Sequence, residues 1–178
     1  MIRVTIYIFA ITLVLSELVV RNAVNWIPED LIEHLSPDAV LQVYKTRGQV
    51  QDENSYIYHY RPFQTLNHYP HVKIDENGYR NSINGQKKVD MVLLGDSIIF
   101  SQNSEVDLGD LFRKKGISTL NLAIGGYAPQ HYRDTYKKYI IDKNIQHDNV
   151  IVNIFVGNDF SDAVRYPWKI QPPEGKGS

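Results

Sequence analysis

Three short stretches in the second half of the chain carry residue types suited to acyl-transfer chemistry. They are Gly95-Asp96-Ser97, Gly125-Gly126 and Gly157-Asn158-Asp159. A serine hydroxyl attacks an ester only if it is exposed and if donors stand ready for the negative charge that develops on the carbonyl oxygen. Ser97 follows the apolar run Val89 to Leu94. A tight strand-to-helix turn there presents its hydroxyl and aims backbone N–H groups at the reacting oxygen. Gly95 removes side-chain crowding from that turn. Gly126 lets a second backbone N–H approach, and Asn158 offers a side-chain amide as a third donor. Losing one such donor costs about 3 kcal/mol of barrier. Asp96, adjacent to Ser97, is expected to point elsewhere and brace the turn, not to serve as a triad acid. Each stretch alone reads equally well as an ordinary turn or helix cap. Each also falls at the end of a successive predicted strand, and that makes the set specific.

The elements needed to position these residues are legible from residue 89 onward. Val89 to Leu94 reads as a parallel strand covered on both faces. Ser104 to Asp107 resembles a capping box, and Leu108, Leu111 and Phe112 then recur at helical spacing. Gly116 can end that helix. Ile117 to Ile124 is the second predicted strand. A helix is expected from Pro129, with Tyr132, Tyr136, Tyr139 and Ile140 on one side. Val150 to Val156 is the third strand, apolar throughout and expected to be central. This β-α-β-α-β order predicts three parallel strands whose following turns share one edge, where open α/β sheets hold their sites. Upstream, VKIDENGYRNS, residues 72 to 82, predicts a short strand, an Asn77-Gly78 turn and more extended chain.

The chain has 178 residues, 43% hydrophobic and 22% charged, in keeping with a globular protein. A formal charge of -1 provides no basic field for nucleic acid. The absence of cysteine excludes disulfides, thiol catalysis and Cys-ligated zinc. The 12 tyrosines are scattered and read as half-buried packing residues with polar tips. Arg3 precedes an apolar stretch over residues 4–20 broken only by Glu17. Residues 1–21 therefore predict an uncleaved membrane anchor or a cleaved export signal, and either puts the remainder outside the cytoplasm: membrane-anchored in the first case, secreted or periplasmic in the second. A buried soluble helix is the plain alternative. Residues 22–54 read as a membrane-proximal connection with a short helix at EDLIEHL, and residues 55–178 as the α/β domain. No cofactor is implied, since Gly95-Asp96-Ser97 lacks the Gly-x-Gly-x-x-Gly turn of dinucleotide sites. His59, His68 and His71 cluster without metal-ligand spacing, so no metal is expected.

The motifs resemble the SGNH superfamily of GDSL-type esterases and lipases. LLGDS is similar to its first block, LNLAIGGYAPQ to its second, and VGNDF to its third. Gly157 here directly precedes Asn158, where the usual spacing places one residue between them. DENGYRNS resembles the segment upstream of the nucleophile in a bacterial exported branch. The resemblance spans roughly residues 72–162. It implies a three-layer α/β/α domain with a parallel sheet, of SGNH or flavodoxin-like kind, that hydrolyses esters through a serine. Ser97 would be the nucleophile and an oxyanion N–H donor, Gly126 and Asn158 the other donors, and Gly95, Asp96, Gly157 and Asp159 supporting residues. The substrates implied are acylated small molecules, lipids or acylated polysaccharide. O-acetyl transfer to exported polysaccharide is an alternative.

The resemblance stops short of the family's Asp-x-x-His block, which supplies the general base and its orienting acid. This sequence contains no Asp-x-x-His, and no histidine follows Asp159. Among the six histidines only His131, just after the second block, falls near the expected catalytic edge. Without a base a serine is a weak nucleophile at neutral pH, and hydrolysis is expected to be impaired. The apolar third strand also calls for a neighbour. An incomplete sheet and a truncated or inactive domain are thus expected alternatives to a working esterase.

Overall fold

The computed structural model describes residues 11–16, 19, 48–52, 55, 57–66, 69–82 and 85–169, the last five of these as backbone only. The chain divides into two compact units, Met1–Arg47 and Gly48–Ser178. In the first unit residues 11–16 are helical. Most of the predicted anchor and the predicted EDLIEHL helix lie outside the described residues. Among the described residues no helix is long and apolar enough to cross a membrane.

The second unit is mixed α/β. It starts at Gly48 and not at residue 55, because β1 (Gln49–Gln51) pairs antiparallel with β2 (Tyr58–Tyr60). A second small antiparallel pair follows, β3 (Thr65–Leu66) with β4 (Tyr69–Lys73). The regular part then runs β5 (Lys88–Leu94), α1 (Ser97–Phe100), α2 (Leu108–Lys114), β6 (Thr119–Asn121), α3 (Pro129–Tyr136), β7 (Gln146–Val152) and α4 (Asp159–Lys169). A π-helical turn, Lys137–Ile141, continues α3. The main sheet has three parallel strands in the order β6-β5-β7, with Val92 opposite both Leu120 and Val150.

β5 is central, and its composition shows why. Val89, Val92, Leu93 and Leu94 are all buried, as a strand paired on both edges and covered on both faces requires. The expectation that the third strand is central is corrected. β7 begins at Gln146, ends at Val152 and forms an edge. The apolar residues Ile154, Phe155 and Val156 fall beyond its end and are exposed, as are Val150 and Val152 within it. β6 is also shorter than its apolar run, because Asn121 turns its polar groups to a side-chain network at the strand end.

That network ties the segment upstream of β5 into the domain. The Asp75 carboxylate accepts hydrogen bonds from the Asn77 and Tyr79 N–H groups and from Asn81 Nδ2 (2.8, 3.0 and 2.8 Å), closing the predicted Asn77-Gly78 turn. Asn81 Nδ2 also donates to the Asn121 carbonyl, and Asn81 Oδ1 accepts from the Asn121 N–H. Asn121 Nδ2 in turn donates to Asp107 Oδ2 at 3.2 Å. Asp107, not Ser104, caps α2, with its Oδ1 accepting from the Asp110 N–H at 2.6 Å. The predicted capping box is therefore replaced by a single-residue cap, and Ser104 bonds instead to Val106. α4, to which the sequence pattern assigned no helix, follows the third turn and continues through Pro167.

Candidate functional site

Ser97 opens α1 directly after β5, half-exposed at the sheet edge where all three parallel strands end. α1 is a single four-residue turn, so the pull of a long helix dipole is absent here. What positions the serine is local sterics and one cap. A Cβ at Gly95 would approach Ile99 Cγ1 to 2.6 Å, so only glycine lets the strand meet the helix this closely. Asp96 is fully buried, and its Oδ1 accepts from the Ile98 N–H at 3.0 Å, bracing the turn. Its Oδ2 lies 3.5 Å from Ser97 Oγ, too far to hold the hydroxyl firmly. Burial pushes the Asp96 carboxyl above the usual carboxylate range, with the nearby Asp159 charge adding to it and the Ile98 N–H opposing.

The second turn meets the first. A Cβ built at Gly125 would lie 3.7 Å from Ser97 Cβ and 3.8 Å from Gln102 Oε1, so Ser97 and Gln102 both stand close to this glycine. Gly126 adopts φ +81°, a left-handed conformation that lets the chain reverse into α3. The turn is held from outside the main sheet. Tyr58, on β2, donates from its hydroxyl to the Gly125 carbonyl at 3.0 Å. Tyr127 donates to the Tyr58 carbonyl, and the Tyr79 and Tyr127 hydroxyls are 3.1 Å apart. Tyr58, Tyr79 and Tyr127 are wholly buried, deeper than the half-buried role their scatter suggested. Their hydroxyls satisfy one another and the turn.

The third turn is tied to α3 through a carboxylate. Asp159 is fully buried and its Oδ2 accepts from the Phe155 N–H (2.9 Å) and from the Tyr132 hydroxyl (2.8 Å). Burial and this carboxylate hold the Tyr132 phenol protonated far above its ordinary range. Tyr132 thus links α3 to the start of α4. Asn158 Nδ2 donates to Asp162 Oδ2 at 3.1 Å, which engages one of its two amide protons within its own helix. Asn158 Oδ1 and Asp159 Oδ1 are buried without hydrogen-bond partners among the described residues. Gly157 stands in the exposed turn before them.

No histidine reaches Ser97 through any hydrogen bond among the described residues. His131 is buried, stacks on Tyr127 (centroids 4.8 Å apart) and accepts from the Ala128 N–H through Nδ1 at 3.0 Å. That role caps α3, and a neutral ring that accepts at Nδ1 carries its proton on Nε2, so Nε2 is a donor and not a base. His59 pairs with Asp52, His71 with the Gln102 carbonyl and His147 with the Tyr136 hydroxyl. His34 and His68 lie outside the described residues. Among the described residues no group of three or more His, Asp or Glu side chains could hold a metal ion.

The sequence pattern gave no role at the site to Tyr58, Tyr132 or Gln102, and of these only Tyr132 had a signal, as part of the helical stripe from Pro129. Comparison of the chain with protein-family models, with curated proteins and with solved structures finds no match.

Proposed function

We propose that this chain is an SGNH-type serine acyl-transfer domain acting on ester bonds outside the cytoplasm, with Ser97 as nucleophile. The observation that carries the reading is the closeness of Ser97 to Gly125, in a turn after a different strand at the same edge of a parallel sheet: a Cβ at Gly125 would come within 3.7 Å of Ser97 Cβ. In this reading Ser97 Oγ attacks the ester carbonyl carbon, the C–O bond to the alcohol breaks, and the serine proton passes by way of solvent to the departing alkoxide. Water then attacks the acyl-serine, releasing the acid and restoring the hydroxyl. The Gly126 N–H and the second proton of Asn158 Nδ2 are the proposed oxyanion donors. Asp96 and Asp159 support the two turns.

The lack of a histidine partner for Ser97 among the described residues favours slow turnover over fast turnover. A serine without a base still reacts with strong electrophiles, while hydrolysis of ordinary esters falls by orders of magnitude. The decisive experiment is labelling of the full chain with a fluorophosphonate, read by intact mass and peptide mapping. One adduct, on Ser97 and absent from Ser97→Ala, is the expected result. A wild-type chain that stays unlabelled, or is labelled equally in Ser97→Ala, would reject the reading in favour of an inactive domain. Adding a sugar acceptor to an acyl-enzyme formed from an activated acetyl ester separates the alternative, O-acetyl transfer: acetylated sugar and not free acetate is then the product.

A further inference from the structure

The loop after α1, residues 101–105, is held far more firmly than a surface loop requires. Arg80 is 3% exposed, and its guanidinium donates to the carbonyls of Phe100, Ser101, Ser104 and Glu105. Its Nε lies 3.2 Å from Asp107 Oδ2. Burying a guanidinium is costly unless nearly all of its N–H groups are satisfied, and here the carbonyls that satisfy it belong mostly to this one loop. His71 Nε2 lies 3.0 Å from the carbonyl of Gln102, a loop residue that Arg80 does not reach. Ser101, at φ +51°, turns the chain back on itself at the end of α1.

This clamping has one consequence at the site. It fixes the backbone of Gln102, whose carboxamide oxygen, like Ser97 Cβ, lies within 4 Å of where a Cβ at Gly125 would stand. Gln102 is half-exposed, and among the described residues no partner holds its carboxamide. Its loop neighbours Ser101, Asn103 and Ser104 are polar and uncharged, and Glu105 at the end of the loop is charged. A carboxamide offers two donors and an acceptor that match vicinal hydroxyl groups, and it gains nothing from an alkyl chain.

We propose that Gln102, on a loop that Arg80 and His71 hold, is a substrate-binding residue that hydrogen-bonds a hydroxylated alcohol portion of the ester. This rests on the Ser97 reading above. The test is protection of Ser97 from fluorophosphonate by two probes, sorbitol monoacetate and hexyl acetate, in the wild-type chain, Gln102→Ala and Gln102→Glu. Sorbitol monoacetate is expected to protect the wild type at lower concentration than hexyl acetate. In Gln102→Ala its half-protecting concentration rises about five- to tenfold, the effect of one lost neutral hydrogen bond. The unprotected labelling rate and the thermal midpoint stay at the wild-type values, which a purely structural role would not allow. Gln102→Glu retains the acceptor and shows a smaller rise. Equal protection of wild type and Gln102→Ala, or better protection by hexyl acetate, overturns the proposal while leaving Ser97 as nucleophile. A fall in unprotected labelling matching the loss of protection overturns it too, by making Gln102 structural. An unlabelled wild type overturns both.

Discussion

At the residue scale, Asp96 shows how one side chain can be required for its shape and costly for its charge. It caps the turn that carries Ser97, yet burial raises its pKa, so ionising it at neutral pH opposes folding. The two effects separate in two variants. Asp96→Ala removes the cap and should lower unfolding free energy by about 1 kcal/mol in urea titrations. Asp96→Asn keeps an acceptor for the Ile98 N–H, removes the charge and should be at least as stable as wild type at pH 7. A larger loss in Asp96→Asn than in Asp96→Ala would mean that the carboxylate is needed as a charge. Asp52 is the opposite case. Burial pushes its carboxyl up, but His59 and Lys138 outweigh this and leave it below the usual range. A lowered folded pKa gives stability that is complete above the ordinary value of 3.8 and is lost as pH falls through the lower folded value. The stability advantage of wild type over Asp52→Asn at pH 5 should therefore shrink as pH falls below 4. An advantage that grows below pH 4 would contradict the assignment.

At the element scale, the segment over residues 72–82 acts as a brace for β6, α1 and α2, through Asp75, Arg80 and Asn81. Its strand-turn pattern was legible from Asn77-Gly78, because a turn depends on a few adjacent residues. Its function as a brace was not, because each bond it makes reaches a distant segment, as Asn81 to Asn121 and Arg80 to Asp107 do. Removing one partner of a buried ion pair costs about 3–5 kcal/mol, since the other is left uncompensated. Arg80→Met should lose that much in chemical denaturation. The double variant Arg80→Met/Asp107→Asn should recover part of it. A loss below about 1 kcal/mol would show that the guanidinium is replaceable by packing alone. The same logic explains the misassigned cap of α2: Ser104 fits the local pattern, but Asp107 also reaches Asn121 and Arg80, and those long-range bonds decide.

At the scale of the Gly48–Ser178 unit, the exposed apolar side chains concentrate along β7 and just beyond it, from Val150 and Val152 to Val156, with Phe160 and Val164 on α4. An edge strand of this composition invites pairing with another chain. Sedimentation velocity should show wild-type association that grows with concentration and is reduced by Val152→Lys. Monomeric behaviour of the wild type across the accessible range would refute this. The sequence by itself determined the order of strands, the glycine turns after them and the helix from Pro129, because apolar periodicity and chain reversal are local properties. It put the third strand at the centre, wrongly, since an apolar run reads the same in the middle of a sheet as at an unpaired edge. Only the tertiary structure decided that β5 holds the middle, that Gly125 meets Ser97 and Gln102, and that His131 caps a helix. Each of these depends on which remote atoms satisfy a buried polar group or fill a gap, and no spacing along the chain encodes that.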